Sequence, residues 1–272
     1  MRTIAVYFLT FIAMCSMDGF QSRKIASNDR AKNAQNDDFD FLLFAQQWPA
    51  SACVDGHFTA SATCGFPPGL SQTGWTVHGL WPSKIKSMGP DTCSRTAFKA
   101  DILKPLMQDL QTVWPNLITS KPDDSFWAHE WTKHGTCAAS VPALAGEFNY
   151  FNKLLQFYKQ YNLYNALQAA NIVPSVSKTY TQDAVMAALR KGFNKQVGVH
   201  CAYRKDTQQH YLAEIRLCLT KDLTLMDCPQ DIMRRETASC PKNGRLLYPP
   251  LPPSASRTSN RAGGRGRNPR GP

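Results

Sequence analysis

Apolar residues recur along this chain with two different periods, and the switch between them divides it into three parts. Residues 39–48 (FDFLLFAQQW) form an unbroken apolar and aromatic run closed by Pro49, the pattern of a strand buried on both faces. Residues 74–79 alternate around Trp75 and Val77 as a second strand, expected to end in a loop at 79–82. The spacing then becomes helical: residues 96–113, broken near Pro105, and residues 126–134, 148–161 and 181–191 repeat apolar positions every three or four residues. Asp124 or Ser125 is placed to cap the second of these. Alternation returns over 197–203 and 211–218, with charged turns between. Strands, then helices, then strands predict an α+β domain and not a doubly wound sheet.

The flanks follow other rules. Met1 and Arg2 precede a short apolar run ending near Met17, the form of a secretory signal peptide, which is assigned to residues 1–19. Residues 20–38 are polar and aperiodic and read as a flexible leader. No later segment is long and apolar enough to anchor the chain in a membrane, so the expected destination is the outside of the cell or a lysosomal or endosomal lumen. With Cys15 lost alongside the signal, Cys53, Cys64, Cys93, Cys137, Cys201, Cys218, Cys228 and Cys240 make an even set suited to four disulfides in an oxidising compartment. The sequence alone leaves about 105 ways to pair eight cysteines. A domain over 39–251 remains, followed by a tail, 252–272, with five arginines and no acidic residue, which reads as a disordered basic extension. The net charge of +11 suits a polyanionic partner.

Candidate chemistry sits in two segments, WTVHGLWP at 75–82 and FWAHEWTKHGTC at 126–137, which hold His78, His129 and His134, three of the six histidines. Taking 126–134 as a regular α-helix puts His129, Glu130, Lys133 and His134 within an arc of about 140°. Zinc hydrolases place two histidines four apart on a helix; here the spacing is five, which turns the second imidazole away, and Lys133 lies beside it, so no metal is expected. Two imidazoles, a lysine and a glutamate suit metal-free phosphodiester transfer. One imidazole takes a proton from a ribose 2′-OH, the other protonates the leaving 5′-oxygen, and a cation offsets charge on the phosphoryl oxygens. That reaction requires RNA and no cofactor. The remaining histidines, His57, His200 and His210, are assigned structural or surface roles, and Trp48, Trp75, Trp114, Trp127 and Trp131 are assigned to the core.

The two histidine segments resemble the active-site segments of the ribonuclease T2 family, and the likeness extends over residues 39–248, including 41–49 and the late strand AEIRLCLTK at 213–221. It implies a central antiparallel sheet with helices packed on it. It also implies His78 as proton donor, His134 as proton acceptor, and Glu130 and Lys133 at the pentacovalent phosphorus. His129 then binds phosphate, Trp81 stacks on the first base and Phe126 meets the second. The pairing it implies is Cys53 with Cys64, Cys93 with Cys137, Cys201 with Cys240, and Cys218 with Cys228. Ser83 replaces an aspartate that reads adenine in fungal members, so weak base selectivity is expected, and no Asn-x-Ser/Thr sequon is present. The reading is of a monomeric, metal-independent endoribonuclease on single-stranded RNA. Two other readings remain at this point: a secreted RNA-binding or signalling factor that uses the arginine tail, and a zinc hydrolase.

Overall fold

The computed structural model describes residues 38–54, 64–67 and 69–252. The expected signal segment, the leader up to its last residue, His57 and the arginine tail after Pro252 lie outside them.

Strand β1 (Phe41–Gln47) is buried along its whole length. Its side chains alternate between two cores: Leu42 and Phe44 point into the main cluster, while Phe41 and Leu43 join Cys218, Cys228, Ile232 and Met233 on the opposite face. That explains why the run showed no polar alternation. Strand β2 (Thr76–Ser83) pairs antiparallel with β1 and continues through the segment expected to be a loop, since Leu80, Trp81, Pro82 and Ser83 stand opposite Phe44, Leu43, Leu42 and Phe41.

The β1–β2 register shifts once. Ala45 faces Gly79 and Gln46 faces Val77, which leaves His78 as an extra residue in β2. This bulge reverses the phase of the strand, so Val77 and Leu80, three apart, both enter the main core while Trp81 packs on the second. Bulging is thus what aims His78 away from the core.

The helices expected at 148–161 and 181–191 are found as Glu147–Gln160 and Gln182–Phe193. The second starts with Thr181 Oγ1 accepting the Ala184 N–H and ends at Asn194 in the left-handed region, with Arg190 and Lys191 in its last turn. Residues 100–106 form a 3-10 helix around Pro105 and pass into an α-helix at Met107–Val113. Helix α1 (Asp123–Glu130) is not capped by Asp124 or Ser125. It starts after Pro122, whose carbonyl accepts the Ser125 hydroxyl, and the Asp123 carboxylate accepts the Asn116 N–H.

Strands β3 (Thr179–Tyr180), β4 (Gly198–Arg204), β5 (Gln209–Leu219), β6 (Leu225–Met226) and β7 (Leu246–Leu247) complete, among the described residues, a seven-stranded sheet in which β5 is the hub. β1 and β7 take one edge of β5, and β4 and β6 the other. All pairings are antiparallel except β5 with β7, which is parallel, so the expected antiparallel sheet is mixed. All four implied disulfides form, and the five tryptophans assigned to the core are each at most 3% exposed. Among the described residues, no helix is long and apolar enough to cross a membrane.

Candidate active site

Helix α1 does not continue as an α-helix past Glu130. Residues Trp131–Gly135 form a π-helical turn before an α-helical stretch, Thr136–Ala138, resumes. A turn closed by i to i+5 bonds brings residues five apart onto one side. His129 and His134 therefore face each other, ring centroids 6.4 Å apart, and one donor atom from each, with one Glu130 oxygen, lie within 4.8 Å of one another. Spacing alone, on a regular helix, gave the wrong geometry here. The spacing objection to a shared cation falls away, while the charge of Lys133 next to these residues still opposes one.

His78 and His134 come from β2 and from the π turn, yet both open into one cavity of about 520 Å³ that also exposes Trp81, His129, Glu130 and Lys133. The Trp81 ring lies between the imidazoles, 4.9 Å from His78, edge to face, and 5.6 Å from His134. Its indole N–H donates to Glu130 Oε2 at 2.9 Å. Phe126 stands on the other side of His78, ring centroids 5.8 Å apart, and lines a second lobe of about 400 Å³ that shares His78, His129 and Lys133. All seven residues singled out in the sequence thus gather around one two-lobed cleft.

Several fixed contacts hold the frame. Trp114 donates its indole N–H to the His78 carbonyl, and the Tyr150 hydroxyl donates to the Leu80 carbonyl. Gly79, next to the bulge, leaves no room for a side chain, because a Cβ there would strike Glu130 Oε2 and the Trp81 indole nitrogen. The Cys93–Cys137 disulfide and the Thr92 N–H bond to the Lys133 carbonyl tie the segment after β2 to the π turn.

Charge divides the imidazoles. Burial lowers His134, with the positive charges of Lys133, His129 and His78 adding, and its pKa falls to about 3. Burial also lowers His129, helped by Lys133. His78 meets the same burial penalty, but the charge and hydrogen bond of Glu214, together with the charge of Glu130, overcome it, and its pKa rises. Burial dominates Glu130 too; His78 and the Trp81 hydrogen bond oppose it only in part, and the carboxyl is pushed up to about 7.

Sequence reasoning missed four residues. Glu214 lies 2.5 Å from His78 Nδ1, Arg216 and Glu236 line the first lobe, and His200, assigned a structural role, lines both lobes. The only available signal was a glutamate and an arginine two apart, hence on one face, in the otherwise apolar strand 211–219.

Residues 39–228 match the model of the Ribonuclease T2 family, and the chain is a member of that family and an endoribonuclease. It is 36% identical to ribonuclease Oy of Magallana gigas over 217 residues, covering 79% of this chain and 98% of that one. It is also 36% identical to ribonuclease T2 of Sus scrofa over 213 residues, 77% of this chain and 96% of that one. The crystal structure of human RNase T2 superposes with a TM-score of 0.63 at 32% identity, covering 78% and 99% of the two chains. RNase NT in complex with 5′-AMP gives 0.64 at 29%, covering 79% and 100%.

Proposed function

We propose that this endoribonuclease cleaves single-stranded RNA by metal-independent transphosphorylation, with His134 as proton acceptor and His78 as proton donor. The observation that carries this reading is the opposite charge preference of two imidazoles lining one cavity. Neutral His134 takes the 2′-OH proton as that oxygen attacks phosphorus. Protonated His78 delivers its proton to the departing 5′-oxygen, leaving a 2′,3′-cyclic phosphate. In the second step a water replaces the leaving group and the two roles reverse, giving a 3′-phosphate. Lys133 and His129 face the phosphoryl oxygens, and Glu130, whose proton is retained up to about pH 7, donates a hydrogen bond to the pentacovalent intermediate.

Trp81, between the two imidazoles, holds the first base, and Phe126, on the far side of His78, receives the second, next to the proton donor that serves the oxygen of the second ribose. An aromatic platform tolerates any base. The Ser83 hydroxyl, bonded to the Trp81 carbonyl, adds no carboxylate to read one, which supports weak selectivity. The four disulfides and the apolar segment after Arg2 support export, with residues 1–19 as signal, 20–38 as leader, 39–251 as the catalytic domain and 252–272 as a basic tail.

Digestion of defined dinucleotides tests the mechanism. His78→Ala and His134→Ala should each abolish cleavage with the fold intact, wild type should yield cyclic phosphate before 3′-phosphate, and EDTA should leave the rate unchanged. Loss of activity on chelation, or a direct 3′-phosphate product, overturns it.

A further inference from the structure

We propose that Glu214 is the positioning residue of the proton donor: it fixes the ring of His78 and holds it charged, and a buried run of alternating charges from the cleft to the surface holds Glu214 in turn. The proposal rests on the reading of His78 as the proton donor.

Glu214 and Arg216, two apart on β5, project from the same face of that strand. Both carboxylate oxygens of Glu214 are committed, Oε2 to His78 Nδ1 and Oε1 to Arg216 Nε. Arg216 Nη1 bonds Glu236, on the helix Gln230–Thr237, and Arg235 Nε reaches the other Glu236 oxygen at 3.3 Å. Glu214 and Glu236 are 5% and 3% exposed, whereas the Arg235 side chain is 43% exposed at the rim. Two buried carboxylates share the largely buried guanidinium of Arg216, and the second cation on Glu236, Arg235, sits at the rim where solvent screens it, so a protonated His78 supplies the balancing charge at the inner end of the run. Burying such a group without a partner is costly, which sets the sign of the effect.

Of the other groups facing His78, Arg216 opposes this bias, and only Glu130 adds to it, by less than Glu214 and only once ionised. Glu130, from α1, is itself raised by burial and protonated in acid, and His129, Lys133 and His134 bring only positive charge or none. Trp81 and Phe126 offer rings. Glu214 stays ionised because Arg216 and His78 outweigh its burial.

The contact also sets the tautomer. With Nδ1–H donated to Glu214, the Nε2 proton is the one passed to the leaving oxygen, and the neutral ring that remains is already the form that takes a proton from water at Nε2 in the second step. Arg216 lies 5.0 Å over the Trp81 ring, so the cation that anchors Glu214 also abuts the indole of the first lobe.

The experiment is an NMR titration of the His78 ring in the full protein, beside the pH dependence of kcat/KM on a dinucleotide, for wild type, Glu214→Gln and Glu236→Gln. Glutamine keeps an acceptor but not the charge. A charged hydrogen bond exceeds a neutral one by enough to move the His78 midpoint down by about one pH unit, and the alkaline limb of kcat/KM down with it, about a tenfold loss at pH 8. KM should change little. Glu236→Gln, which touches neither His78 nor Glu214, should move the midpoint the same way by less, and it carries the test should Glu214→Gln fail to fold. An unmoved or raised midpoint overturns the proposal. A midpoint that falls while the alkaline limb stays put leaves the coupling intact and overturns His78 as donor, so the two failures are distinct.

Discussion

Replacing Glu130 by glutamine should make the protein more stable at pH 8 and leave its stability at pH 4 nearly unchanged. Glu130 is 1% exposed, and burial raises its carboxyl from 4.5 to about 7. The folded state therefore binds this proton more tightly than the unfolded chain does. The resulting stability is fully present below about pH 4.5 and is lost as pH rises through 7. At 1.36 kcal/mol per pH unit, the loss on full ionisation is about 3 kcal/mol. Glutamine is never ionised, and its amide oxygen still accepts the Trp81 indole N–H. For a domain of this size, about 3 kcal/mol corresponds to a melting-temperature gain on the order of 6–12 °C. Thermal unfolding of wild type and variant at pH 4 and pH 8 provides the comparison. Equal gains at both pH values, or a variant less stable at pH 8, would refute the account of burial as the cause. RNA cleavage should fall in the same variant, since the buried carboxyl that destabilises the fold is the group assigned to the pentacovalent intermediate, and stability gained at a reaction centre is commonly matched by lost turnover.

Gly79→Ala should reduce activity by about tenfold or more while the chain still folds, because the added methyl meets the Glu130 carboxylate and the Trp81 nitrogen and breaks their hydrogen bond; a wild-type rate would show that this bond is dispensable. Removing the Cys93–Cys137 disulfide with a double serine variant opens a link between residues 44 apart and should cost about 4 kcal/mol by loop-closure entropy, read from urea midpoints. Tyr150→Phe leaves the Leu80 carbonyl, next to Trp81, without its hydroxyl donor and should cost about 1 kcal/mol in urea midpoints, with a small loss of cleavage rate.

Local patterns revealed the parts of this molecule whose causes are local. The continuous apolar run of β1, the helix periods at 148–161 and 181–191 and the five core tryptophans were legible because burial follows side-chain period. What escaped depends on partners far along the chain. His78 becomes a bulge residue only when β2 is laid on β1, and nothing in WTVHGLWP shows the extra residue. Glu214, 136 positions from His78, reads in AEIRLC as the polar side of an ordinary strand until the strand proves to be the hub of the sheet with both edges taken. The family resemblance supplied the roles of His129 and His134, but their approach depends on a wide turn that a regular helix lacks.

That wide turn governs how the segment can be reused. The wider turn takes up about one residue more than an α-helical turn and so rotates everything after Trp131, and Cys137 arrives at Cys93 and the Thr136 hydroxyl at the Cys93 amide. A transplant of 126–137 onto an ordinary scaffold helix would lose both the facing imidazoles and the anchor that follows. An engineer would have to carry over the irregular backbone along with its side chains.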